Sequence, residues 1–81
     1  MKVKRVQTGV RIEKRLLQVL KALAQYFGIS LGDLIEGIAL HAFENEPAFS
    51  KAQLEKIAQI KAVYGMDYGV ESAHKMVEAD E

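Results

Sequence analysis

The sequence predicts a small, mainly α domain that opens on a single strand and completes its fold with a second copy of itself. Three observations carry this expectation. Residues 3–12 alternate with period two, whereas the chain beyond them follows helical spacing broken at Gly28, Pro47 and Gly65. A lone strand leaves its backbone N–H and C=O groups without partners, and the simplest supplier of a neighbour is another copy of the same chain. Finally, 81 residues give one domain that buries only about 60% of its unfolded surface, so self-association is expected to strengthen the core.

The elements follow in order. In the strand, Lys4, Val6, Thr8, Val10 and Ile12 share one face and Val3, Arg5, Gln7, Gly9 and Arg11 the other, so a mostly β-branched side opposes a polar, basic one. A helix is expected from Glu13 or Lys14 to Phe27, because Leu16, Leu20, Leu23 and Phe27 recur on one face. Gly28 stops it as a left-handed cap, and Ser30, with Asp33 three residues on, starts a second helix. The apolar stripe of that helix comprises Leu31, Leu34, Ile35, Ile38, Ala42 and Phe43. Gly32 and Gly37 lie inside it at a cost of about 1 kcal/mol each, so each is expected to mark a close approach of another backbone or a ligand. Glu44 to Pro47 form a linker, since proline disfavours a helical residue before it. Ser50 and Gln53 make a capping-box pattern that opens a third helix ending at Gly65. A short helix is expected around Val70 to Val77, and the acidic end, residues 78–81, is expected to fray.

Charge and composition narrow the function. The net charge is zero, yet residues 1–21 carry seven cations against Glu13 alone, a net +6, while residues 22–81 carry four cations against ten acids, a net −6. A basic N-terminal face suits an anionic partner, since charge steers association and phosphate neutralisation releases counterions. There are no cysteines, and His41 and His74 are far apart, so neither a metal site nor a cofactor is expected. No hydrolase, phosphate-loop or zinc-protease motif occurs, and Ser30, Ser50 and Ser72 are accounted for by capping or loops, so no catalytic residue is assigned. No apolar run reaches the length of a membrane span, and MKVKRV lacks the apolar segment of a secretory signal; a cytoplasmic protein without membrane contact is expected.

Residues 3–44 resemble the ribbon-helix-helix DNA-binding family of the MetJ and Arc type. The resemblance rests on an alternating strand ending Val10-Arg11-Ile12, a helix ending Tyr26-Phe27-Gly28, and Gly28-Ile29-Ser30 followed by Leu31-Gly32-Asp33-Leu34-Ile35. It implies a mainly α fold in which two chains pair their strands as an antiparallel ribbon, intertwine their helices, and insert the ribbon in the major groove of double-stranded DNA. It divides the chain into a DNA-binding and dimerisation module, residues 1–45, and a helical extension with an acidic tail, residues 46–81. The implied base contacts are Arg5, Gln7, Gly9 and Arg11, although Gly9 has no side chain to read with. The implied phosphate contacts are Ser30, Leu31 and Gly32 at the start of the second helix, with Lys2, Lys4 and Arg15. Asp33 opposes a phosphate there, and Glu13 stands where the family often has proline.

The expected function is therefore that of a homodimeric, sequence-specific DNA-binding protein and transcriptional repressor, not an enzyme. Two other readings compete. In one, residues 47–81 bind a partner protein, as the C-terminal segments of antitoxins with this fold do. In the other, the chain is a helical adapter that binds no DNA and whose strand pairs with another protein's sheet edge.

Overall fold

Each helix begins and ends where side chains or a left-handed residue satisfy the free backbone groups at its ends. In the computed structural model, which describes residues 1–79, these are α1 (Lys14–Phe27), α2 (Leu31–Phe43) and α3 (Lys51–Tyr64), followed by a 3-10 turn at Val70–Ser72. At the start of α1 the Glu13 carboxylate accepts the backbone N–H of Arg15 at 3.0 Å and of Leu16 at 3.2 Å. Gly28, with φ of 70°, reverses the chain, and the N–H of Ile29 closes onto Ala24 O at 3.0 Å. Ser30 Oγ accepts the N–H of Asp33 at 3.0 Å, so α2 starts two residues after α1 is capped. Ser50 and Gln53 form the reciprocal capping box at the start of α3, and Gly65 closes that helix with φ of 66°.

Among the described residues there is no strand, and residues 1–12 have no regular secondary structure. This corrects the fold class expected from the sequence. The chain is a three-helix, all-α protein, so the β-ribbon is absent and the intertwined ribbon-helix-helix arrangement built on it is not the observed architecture. The physical reason is that alternation records only a capacity to pair. A ladder needs a second segment of the same kind, and helices account for most of the remaining chain. Val6 and Val10, assigned to the strand's buried face, are 77% and 73% exposed, and of that face only Ile12 is half-buried. The short helix expected around Val70 to Val77 is likewise reduced to the three-residue 3-10 turn. Of the acidic end, Glu78 is held in an ion pair with Arg11, while Asp80 and Glu81 lie outside the described residues.

α1 is the central helix and packs against both α2 and α3, more extensively against α3. The buried core comprises Val19, Leu23 and Ala24 of α1 with Leu34 of α2, ringed by half-buried Leu20, Phe27, Ile38, Phe49, Ile57 and Ile60. Phe27 stacks on Phe49 with ring centroids 6.2 Å apart, and Lys56 of α3 sits 4.9 Å from the Tyr26 ring centroid of α1. Gly32 and Gly37, expected to mark close approaches, have nothing within 4 Å of the position a Cβ would occupy. No other segment of the chain crowds them.

This core is small for the chain. A folded monomer of 9.0 kDa exposes about 4,850 Å² by the usual size scaling. Here 7075 Å² is exposed. Residues 1–12 and the chain after α3 hold part of that excess, and α2 holds another part. Leu34 and Ile38 face α1, yet Ile35, Leu40 and Phe43 are exposed, Phe43 to 79%. A helix apolar on both sides is a buried helix in most proteins. Within a single chain, α1 covers one side of α2, and on the other, residues 1–12 stand across an open groove that leaves Ile35 and Leu40 exposed.

Candidate nucleic-acid interface

Residues 1–12 carry Lys2, Lys4, Arg5 and Arg11 and no acid. Nearly the whole segment is exposed, and it borders an open groove of about 1240 Å³ whose far wall includes Leu17 and Lys21 of α1 and Leu31, Ile35 and Leu40 of α2. The arm itself supplies one wall of this groove, with Lys4 and Arg5 among its residues, and the helices supply a mainly apolar wall opposite.

The structure places the expected base-contacting residues as follows. Arg5 reaches α2, where its Nε donates to Glu36 Oε2 at 2.9 Å and its Nη2 to Glu36 Oε1 at 2.8 Å. This bidentate fork raises the Arg5 pKa and lowers that of Glu36, because each charge is hydrogen-bonded to its opposite. Arg11 pairs with Glu78. Gln7 makes no side-chain hydrogen bond among the described residues, and Gly9 faces open space.

The expected phosphate-contacting residues separate into three groups. Ser30, Leu31 and Gly32 do lie together at the start of α2; the Ser30 hydroxyl caps the helix, and Gly32 is open to solvent. Asp33 and Glu36 place carboxylates beside them. Lys2 and Lys4 have no acid within ion-pair distance among the described residues. Arg15 is engaged instead within the fold. Its Nη1 donates to Gly65 O at 3.1 Å and to Asp67 Oδ1 at 3.2 Å, and its guanidinium lies 5.4 Å from the Tyr68 ring centroid. Arg15 thus ties the chain after α3 to the start of α1.

Sequence reasoning missed the centre of that tie. Tyr68 donates its hydroxyl to Glu13 Oε1 at 2.6 Å, across 55 positions. The Tyr68 bond, followed by the capped N–H of Arg15, holds the Glu13 carboxyl down at about 2 from its ordinary 4.5. Burial first and the Glu13 bond second push the Tyr68 hydroxyl up to about 12. Glu13 therefore contributes stability that is fully present above pH 4.5 and is lost as the pH falls through that value toward 2. Tyr68 contributes stability that is present below pH 10 and lost as the pH rises toward 12. Acid titration followed by circular dichroism is expected to show unfolding advancing below pH 4.5, and Tyr68→Phe is expected to move that transition to higher pH. An unchanged acid transition in Tyr68→Phe would mean that the hydroxyl does not hold Glu13 ionised.

No three metal-ligating side chains converge among the described residues, and no helix among them is long and apolar enough to cross a membrane. In comparison with known proteins, no family model matches the chain, and no curated protein or solved structure matches it either.

Proposed function

We propose that the chain is a sequence-specific DNA-binding protein that acts as a homodimer and represses transcription. The observation that carries this reading is the exposed arm of residues 1–12, with four cations and no acid, on a chain whose remaining charge is net acidic. Cations gathered on one exposed segment attract a polyphosphate backbone, and the acidic remainder of the chain disfavours broad adhesion to it. On this reading Arg11, Arg5 and Gln7 reach base edges, Gly9 lets the arm approach closely, and Lys2, Lys4 and the Ser30–Gly32 turn meet phosphates. Arg15 is the weakest of the assigned contacts, because its guanidinium is already committed to Gly65 and Asp67.

The dimer is supported by area. The chain exposes roughly 2,200 Å² more than a monomer of its mass, shared among the arm, the segment after α3 and the outer side of α2, against about 800 Å² per partner in an interface of standard size. The unpartnered side of α2, with Ile35, Leu40 and Phe43, is the surface a second copy fits, since the same apolar row on both partners is self-complementary.

The test is selection of bound duplexes from a random pool with the purified full chain. Enrichment of one recurrent sequence is expected; an unenriched pool would leave the reading without support. Arg11→Ala is then expected to relax preference at one base pair of the selected site and to cost about 1–3 kcal/mol. Equal losses on selected and random duplexes would assign Arg11 to phosphate instead.

A further inference from the structure

Both of the arm's arginines are already occupied by carboxylates of their own chain. Glu36 takes Arg5 through a two-point fork, at 2.8 and 2.9 Å, and Glu78 takes Arg11 from 67 positions along the chain. A carboxylate bound side-on to a guanidinium uses the same paired donors that a phosphate would use. Both pairs are open to water, with side-chain exposures of 63% and 46% for Arg5 and Glu36 and 83% and 67% for Arg11 and Glu78. Exposed pairs of this kind are weak and salt-screened, so another anion can displace them. They come from two separate elements, α2 and the segment after the 3-10 turn, and both act on the same arm.

We infer that Glu36 and Glu78 are internal competitors of DNA that hold the arm against its own chain and occupy the paired donors of Arg5 and Arg11. This rests on the DNA-binding reading above. Before either guanidinium can reach the duplex it must give up its carboxylate, so the mask lowers affinity for every sequence rather than selecting among them. It also restrains the arm in the free protein, which without these contacts has no regular structure to fix it.

The experiment compares the full-length wild type with Glu36→Gln, Glu78→Gln and the double variant, using Glu55→Gln on α3 as a control with the same change in net charge as each single variant. All three positions are exposed, and thermal unfolding confirms that each variant is folded. Binding to a random-sequence duplex at 50 mM salt is expected to tighten by about two- to fivefold for each masking acid removed, and Glu55→Gln is expected to change it much less. Backbone amide relaxation over residues 2–11 of the free protein is expected to show greater mobility in the double variant. Duplex binding without a gain over Glu55→Gln, or an arm equally restrained in the double variant, overturns the mask and leaves the DNA reading standing. Absence of duplex binding by the wild type and by every variant overturns both.

Discussion

Replacing Lys2, Lys4, Arg5 and Arg11 together by glutamine is expected to abolish most DNA binding while leaving the fold intact. None of the four contributes to the core, and their side chains lie in an exposed segment without secondary structure. Each phosphate neutralised by a cation steepens the dependence of log affinity on log salt by about 0.9. Lys2 and Lys4 are the phosphate contacts among the four, so their loss flattens that slope by roughly 1.8 if one arm engages the duplex, and by roughly 3.6 if the two arms of a dimer do. At 50 mM salt, with the base contacts of Arg5 and Arg11 lost as well, this corresponds to a loss of about 10³-fold or more. The size of the change in slope thus also counts the arms. An unchanged slope would mean that the arm does not meet the phosphate backbone.

The second large effect is expected at the uncovered side of α2. Ile35→Asp places a carboxylate at the edge of the exposed apolar surface it forms with Leu40 and Phe43, where a second copy would desolvate it. Burying an isoleucine or phenylalanine stabilises by about 1.5–3 kcal/mol, and a symmetric interface gains each contribution twice. Wild-type protein is accordingly expected to sediment as a dimer at micromolar concentration and to melt at a temperature that rises with concentration. Ile35→Asp is expected to sediment as a monomer and to melt at least about 5 °C lower, with no dependence on concentration. Val63→Asp, at an exposed apolar position of α3, serves as the control and is expected to leave the dimer intact. A stable, folded wild-type monomer at micromolar concentration would contradict the pairing of α2 faces.

The helices were legible in the sequence because their limits are local chemistry. Gly28, Ser30, Ser50 with Gln53, and Gly65 each act within four residues of the backbone groups they satisfy, and all of them cap where the spacing indicated. The arm was not legible in the same way. Its alternation states which side chains would share a face if a neighbour were present, and nothing local says whether that neighbour exists. The ion pairs were less legible still. Glu36 sits among the apolar residues of α2 with no motif to link it to Arg5, 31 positions away, and Glu78 belonged to a tail expected to fray. Glu13 did carry a signal, as an acid directly before a helix in an otherwise basic stretch; it suits the first N–H groups, but its bond to Tyr68 depends on how the chain returns after α3.

The apolar stripe of α1 packs as expected but less deeply, while in α2 and α3 the stripe residues Ile35, Phe43, Leu54 and Tyr64 are exposed. Leu16, Leu20 and Phe27 are half-buried rather than central, and Val19 takes the core position beside Leu23. The reason lies in α1 serving two neighbours. With α2 on one side and α3 on the other, its contact surface is wider than the single row of i and i+4 positions, and Val19 and Ala24 fall where the two contacts meet.

The most direct measurement of the central claim is a pair of fluorescence-anisotropy titrations, one with the duplex selected from the random pool and one with a scrambled duplex of the same length, each repeated from 50 to 200 mM salt. The selected duplex is expected to bind at least about 10³-fold tighter than the scrambled one, with both affinities falling linearly on a log–log salt plot. Equal affinity for the two duplexes, or affinity independent of salt, would contradict a sequence-specific DNA-binding role for this chain.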